Sequence, residues 1–84
     1  MKNIFRFSWV EMSGGFDQQC NILVDSKEEA IKTFMIKVWW RNQLKILDPI
    51  EEFDKLKYVY VENLNSKYTK EYLENMEIKI HYEI

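Results

Sequence analysis

Cysteine, histidine and proline occur once each in this chain, at Cys20, His81 and Pro49, and glycine only twice, at Gly14 and Gly15. A single cysteine excludes an intramolecular disulfide and any zinc site built from thiolates. A single histidine excludes histidine pairs and histidine-rich metal centres. The two glycines sit in Ser13-Gly14-Gly15, without the strand–glycines–helix setting or the lysine of a phosphate cradle. No stretch approaches the roughly 20 apolar residues of a membrane span. Met1 to Ser8 has no long apolar run after its basic residue, so no secretory leader is expected and the cytoplasm is the expected location. Excess positive charge is missing too. The net charge is −2, the acids and lysines are interspersed, and direct nucleic-acid binding is not expected.

What is present is a foldable chain. Eighty-four residues make one domain, residues 1–84. Hydrophobic residues at 46% and aromatics at 15% exceed what a disordered segment carries, and the thirteen rings should dominate a small core. Ten lysines against two arginines, a single alanine at Ala30 and abundant Ile and Asn point to AT-rich codons, hence a phage or bacterial source.

Residues 4–25 read as a β-hairpin. Phe5, Phe7 and Trp9 alternate, as do Cys20, Ile22 and Val24, each set making one apolar face. Gly14-Gly15 suits a two-residue turn that needs positive φ. With those glycines central, Trp9 faces Cys20, Phe7 faces Ile22 and Phe5 faces Val24, all six buried together.

Ser26 followed by Glu29 is a capping-box arrangement opening a helix. Its inward stripe is Ala30, Ile31, Phe34, Met35, Val38 and Trp39, and the periodicity carries it to about residue 43, or on to Leu47. Asp48 then caps a short second helix with Pro49 at its first position, burying Ile50, Phe53 and Leu56. Lys57 to Glu62 reads as a strand with Tyr58 and Tyr60 on one face and Val59 and Val61 on the other. Asn63 to Ser66 reads as a turn or loop, and Thr69 to Asn75 as a helix carrying Tyr72, Leu73 and Met76 inward. Ile78, Ile80, Tyr82 and Ile84 alternate with Glu77, Lys79, His81 and Glu83, the pattern of an antiparallel strand with one wet face. The expected fold is therefore α+β: a small four-stranded, largely antiparallel sheet opening with a hairpin, with one main helix and one or two short ones packed on one face.

Chemistry needs a nucleophile, an acid or base, or a metal within mutual reach. His81 falls on the polar face of the last strand and reads as an exposed side chain without a role. Cys20 points inward and reads as a small hydrophobe. Asp48, Glu51, Glu52 and Asp54 cluster without the spacing or central glycine of a calcium loop, and helix capping accounts for them. No pair among the fourteen acids stands out as a glycoside-cleaving pair. No catalytic residue, metal site or cofactor is expected. Lys37-Val38-Trp39-Trp40-Arg41 has the look of a base-stacking segment, but neighbours on a helix point apart, so Trp39 and Trp40 cannot form one platform.

One stripe is surplus. Ile36, Trp40, Leu44 and Leu47 follow i, i+4, i+8, i+11, roughly opposite the inward face of the same helix. Either residues 48–76 fold over this stripe, or it is a partner-binding surface centred on Trp40. In size, composition and lack of catalytic residues the chain resembles, in type, small phage-encoded inhibitors of bacterial defence such as anti-CRISPR proteins. That resemblance implies a non-enzymatic interaction module that occupies a partner's surface, the partner being another protein or a second copy of the chain. The alternative is an oligomeric protein that binds or sequesters a small ligand between its aromatic side chains.

Overall fold

Alternation of bulky apolar and polar residues builds the centre of the molecule. In the computed structural model, which describes residues 1–11, 15, 17–39 and 48–84, strand β1 (Asn3–Val10) pairs antiparallel with β2 (Asp17–Val24). Phe5, Phe7, Cys20, Ile22 and Val24 all turn to one face and are buried, as the alternation requires. The register differs from expectation. Phe7 stands opposite Cys20, Phe5 opposite Ile22 and Trp9 opposite Gln18, two residues away from the pairing that a Gly14-Gly15 turn would set. An even shift leaves every side chain on its own face, so the apolar pattern is equally satisfied by both pairings. The last pair is Val10 with Asp17, which leaves a wider connection than a two-residue turn. Within it Gly15 takes a φ of +67°, and its N–H donates to the Glu11 carbonyl at 2.9 Å. Trp9, expected in the core, is only half-buried and sits at the rim.

The helical layer begins as the capping signal predicts. Ser26 is the N-cap of α1 (Lys27–Thr33), its hydroxyl accepting from the Glu29 N–H at 3.2 Å. The regular α-helix ends at Thr33, and the expected continuation over residues 40–47 lies outside the described residues. After Thr33 the chain passes into a π-helical turn, Phe34–Val38, closed by the Trp39 N–H donating to the Phe34 carbonyl at 2.9 Å, and Trp39 itself leaves helical geometry with φ −84° and ψ 68°. The physical reason lies in the rings. Positions five apart on an α-helix are about 140° apart around the axis. The wider turn brings Trp39 beside Phe34 with ring centroids 5.8 Å apart, and Trp9 meets both at 5.4 and 6.1 Å. Beneath them Phe7 stacks on Phe34 at 4.3 Å with planes 5° apart.

Asp48 caps α2 (Pro49–Asp54), its carboxylate accepting from the amides of Ile50 and Glu51 at 3.1 and 3.2 Å. Phe53 of this helix meets Phe7 and Phe34 edge-on, closing the core, with Ile50 and Leu56 partly buried around it. Strand β3 (Val59–Asn63) then pairs antiparallel with the other side of β1, Val59 inward and Tyr60 outward. Where a turn was expected, Asn63 caps a single helical turn, α3 (Leu64–Lys67), followed by α4 (Lys70–Asn75) capped by Thr69. Of the three residues expected inward on α4, only Leu73 is buried. Tyr72 and Met76 are exposed, and Tyr72 stacks on Tyr68 at 4.9 Å instead.

The chain's last segment departs furthest from its alternation. Only Tyr82–Glu83 form a strand, β4, and it runs parallel to β2, not antiparallel to a neighbour. The result is a four-stranded mixed sheet in the order β3-β1-β2-β4, with two antiparallel pairings and one parallel. Glu77, at φ 52°, lies just before this segment in the left-handed region.

Because Phe34 touches Phe7, Trp9, Trp39 and Phe53 while fully buried, Phe34→Ala is expected to cost about 3–5 kcal/mol. Urea unfolding followed by circular dichroism measures this, and a loss under about 1 kcal/mol would mean that the ring cluster does not join the two layers. Ser26→Ala should cost about 1 kcal/mol in the same assay.

Candidate functional site

The residues with chemistry to offer are mostly engaged in structure. Cys20 is buried in the core cluster, and burial pushes its thiol up to about 11, so the thiolate form is suppressed. Asp48 holds the start of α2, and Glu52 lies 3.4 Å from Lys55, so two of the four clustered acids serve a cap and a surface ion pair, while Glu51 and Asp54 are exposed. Among the described residues no three potential metal-ligating side chains come together. Lys67 pairs with Glu62 at 3.3 Å, which raises its pKa, and it also lies over the Tyr68 ring at 5.4 Å.

Of the four residues expected to form a partner-binding stripe, Ile36 lies in the π-helical turn and is 52% exposed. Trp40, Leu44 and Leu47 lie outside the described residues. Trp39, whose packing explained it in the sequence, is half-buried against Trp9 and Phe34.

A second surface lies on the outer face of the sheet, turned away from the Phe7 cluster by strand alternation. Pairing sets Ser8 between Tyr60 and Gln19, and Arg6 between Glu62 and Asn21. At the hairpin end of this face Tyr58 is 72% exposed, Tyr60 68% and Val10 52%. These side chains, with Ser8, Trp9 and Gln18 among others, line an open groove of about 290 Å³. Tyrosines left so open contribute nothing to the core, whereas each presents a rigid ring and a hydroxyl to the surroundings. The sequence placed Tyr58 and Tyr60 on one face but gave no reason to regard that face as open, since alternation alone does not say which side of a strand meets a second layer.

Asn21 is the residue that sequence reasoning missed. It is buried, and all four of its hydrogen-bonding groups have partners. Its side-chain oxygen accepts from Arg6 Nε at 3.0 Å, and its side-chain amide donates to the Lys79 carbonyl at 2.9 Å. Its backbone N–H donates to His81 Nδ1 at 3.0 Å, while its carbonyl accepts from the His81 N–H at 2.9 Å. A buried amide left unpaired would cost on the order of 1–3 kcal/mol, so this closed set of bonds holds Arg6 and the terminal segment in place. His81 is exposed, as the alternation suggests, but it has a structural task.

Comparison of the chain with family models, with curated proteins and with solved structures finds no match in any of the three. The structure defines a small α+β domain with an open mixed sheet and several short helices. Among the described residues no helix is long and apolar enough to cross a membrane.

The raised thiol pKa of Cys20 carries a sign. The folded state holds the proton more tightly than the unfolded chain does, so this contribution to stability is complete below pH 9 and is lost as the pH rises through about 11. Replacing Cys20 by Ala should therefore flatten the decline of stability between pH 9 and 11, measured by urea unfolding of both proteins at each pH. An identical decline in the two proteins would show that the thiol does not ionise on unfolding. At pH 8 the native thiol should react with a disulfide reagent at least about tenfold more slowly than the urea-unfolded chain.

Proposed function

We propose that this protein is a non-enzymatic interaction module that works by occupying the surface of a protein partner, and that within this class it is an inhibitor similar in type to small phage-encoded antagonists of host defence. The observation that carries the reading is the exposure of Tyr58 and Tyr60 beside Val10 on the outer sheet face, while the one thiol is buried in the core. Tyrosine is among the residues that dominate interface energetics, because it buries a large rigid area at a small entropic cost. The groove between these rings is open, which suits a protein surface better than a small ligand, whose pocket normally encloses most of it. Ile36, exposed on the helical layer, supports a second contact region, and Trp40, Leu44 and Leu47 belong to that proposal. Self-association is the competing form of the same reading.

The test combines light scattering with partner capture from the source cell, using the natural chain, Tyr58→Ala/Tyr60→Ala and Ile36→Asp. Both variants should keep a melting temperature within about 5 °C of the natural chain, since surface changes cost little. The tyrosine variant should lose a specific bound protein, or its dimer mass, by at least about tenfold. A turnover that survives both variants, or unchanged binding in both, would overturn the proposal.

A further inference from the structure

The contacts of the terminal segment contain a titratable hydrogen bond at a structurally decisive position. Asn21 and His81 exchange roles between side chain and backbone. The Asn21 side chain donates to the Lys79 backbone carbonyl at 2.9 Å, and the His81 imidazole accepts from the Asn21 backbone N–H at 3.0 Å. In an ordinary ladder a backbone carbonyl would receive that N–H. Here the ring nitrogen takes the place of the carbonyl, and Nδ1 accepts only while it carries no proton. The segment is also tied to β2 by the parallel pairing of Tyr82 and Glu83 with Ile22 and Leu23, by the His81 N–H on the Asn21 carbonyl at 2.9 Å and by the Ile84 N–H on the Leu23 carbonyl at 3.0 Å. One exposed ion pair, Lys2 with Glu83 at 3.5 Å, adds little.

We propose that His81 and Asn21 form a proton-sensitive latch that docks the terminal segment, Lys79–Ile84, along the edge of β2 at neutral pH and loosens it on mild acidification. Histidine is the side chain whose charge ordinarily changes between pH 5 and 8. A proton on Nδ1 sets two donors against each other, the imidazolium N–H and the Asn21 N–H, so the bond is lost and the amide is left without its acceptor. The charged groups near the latch are Arg6 of β1, which donates to the Asn21 side chain and stands opposite Glu62 of β3, and Lys79 within the segment, whose backbone carbonyl receives the Asn21 amide. The one acid bound into the same segment, Glu83, already faces Lys2. Release frees the backbone groups of Asn21 and Leu23 along one side of β2, an edge able to receive another strand.

Amide hydrogen exchange of the full chain, resolved residue by residue by NMR and corrected for intrinsic rates, tests this between pH 7.5 and pH 5, a window in which carboxylates in general stay ionised. In the natural chain the protection of Asn21 and Ile84 should fall by about tenfold across the window, while that of Phe7, in the β1–β2 ladder, should stay constant. In His81→Gln, which cannot titrate, protection at these two amides should be independent of pH. In Asn21→Ala, which keeps the titrating ring but loses the side-chain bond to Lys79, protection of Ile84 should be low at both pH values. No fall in the natural chain, or an equal fall in His81→Gln, would overturn the latch. An equal fall at Phe7 would also overturn it, because that reports global unfolding.

Discussion

Phe7 and Phe34 lie flat against each other, and the join between sheet and helical layer turns on that contact. A seven-residue helix has little stability of its own, because nucleation is costly and few turns repay it. What holds α1 and the π-helical turn is the insertion of Phe34 among Phe7, Trp9, Trp39 and Phe53. The same ring cluster sets the path of the chain. Bringing Trp39 beside Phe34 requires the wider turn, and the wider turn ends the regular helix that the spacing of apolar residues promised. A core built from rings distorts local geometry where a core of small residues would not, since planar groups pack only in a few arrangements.

A layer built on one side of the sheet leaves the other side for different work. The outer face carries the Asn21 bonds at the end near the termini and the exposed tyrosines at the hairpin end. The first is closed and satisfied. The second has rings without a covering layer among the described residues, and the functional reading rests on that contrast. The thiol lies in the core, Asp48 caps a helix, and Glu52 and Glu62 sit in surface ion pairs.

The candidate site was legible in the sequence only in outline. A stripe of apolar residues at i, i+4, i+8, i+11 marked Ile36, Trp40, Leu44 and Leu47, and of these the described residues include Ile36, which is exposed. Tyr58 and Tyr60 were placed on a common face, but their exposure depends on which side of β1 receives the helices. Asn21 was invisible for a stronger reason. Its backbone and side-chain partners at His81 and Lys79 lie 60 and 58 residues away, and no local pattern encodes such a pairing.

Elements whose cause lies within a few residues were determined by the sequence alone. Ser26 and Asp48 cap their helices because a hydroxyl or carboxylate can reach amides two or three positions on. Phe5, Phe7, Cys20, Ile22 and Val24 share a face because strand side chains alternate, whatever the register. The tertiary structure decided matters in which two local solutions are equally good. Pairings two residues apart bury the same apolar set, so alternation by itself could not choose the register. The alternation of residues 77–84 suited an antiparallel strand, yet only two residues pair, and in parallel. An alternating segment carries no direction of its own. Its orientation came from the bonds that a buried asparagine, far back in the chain, had left to make.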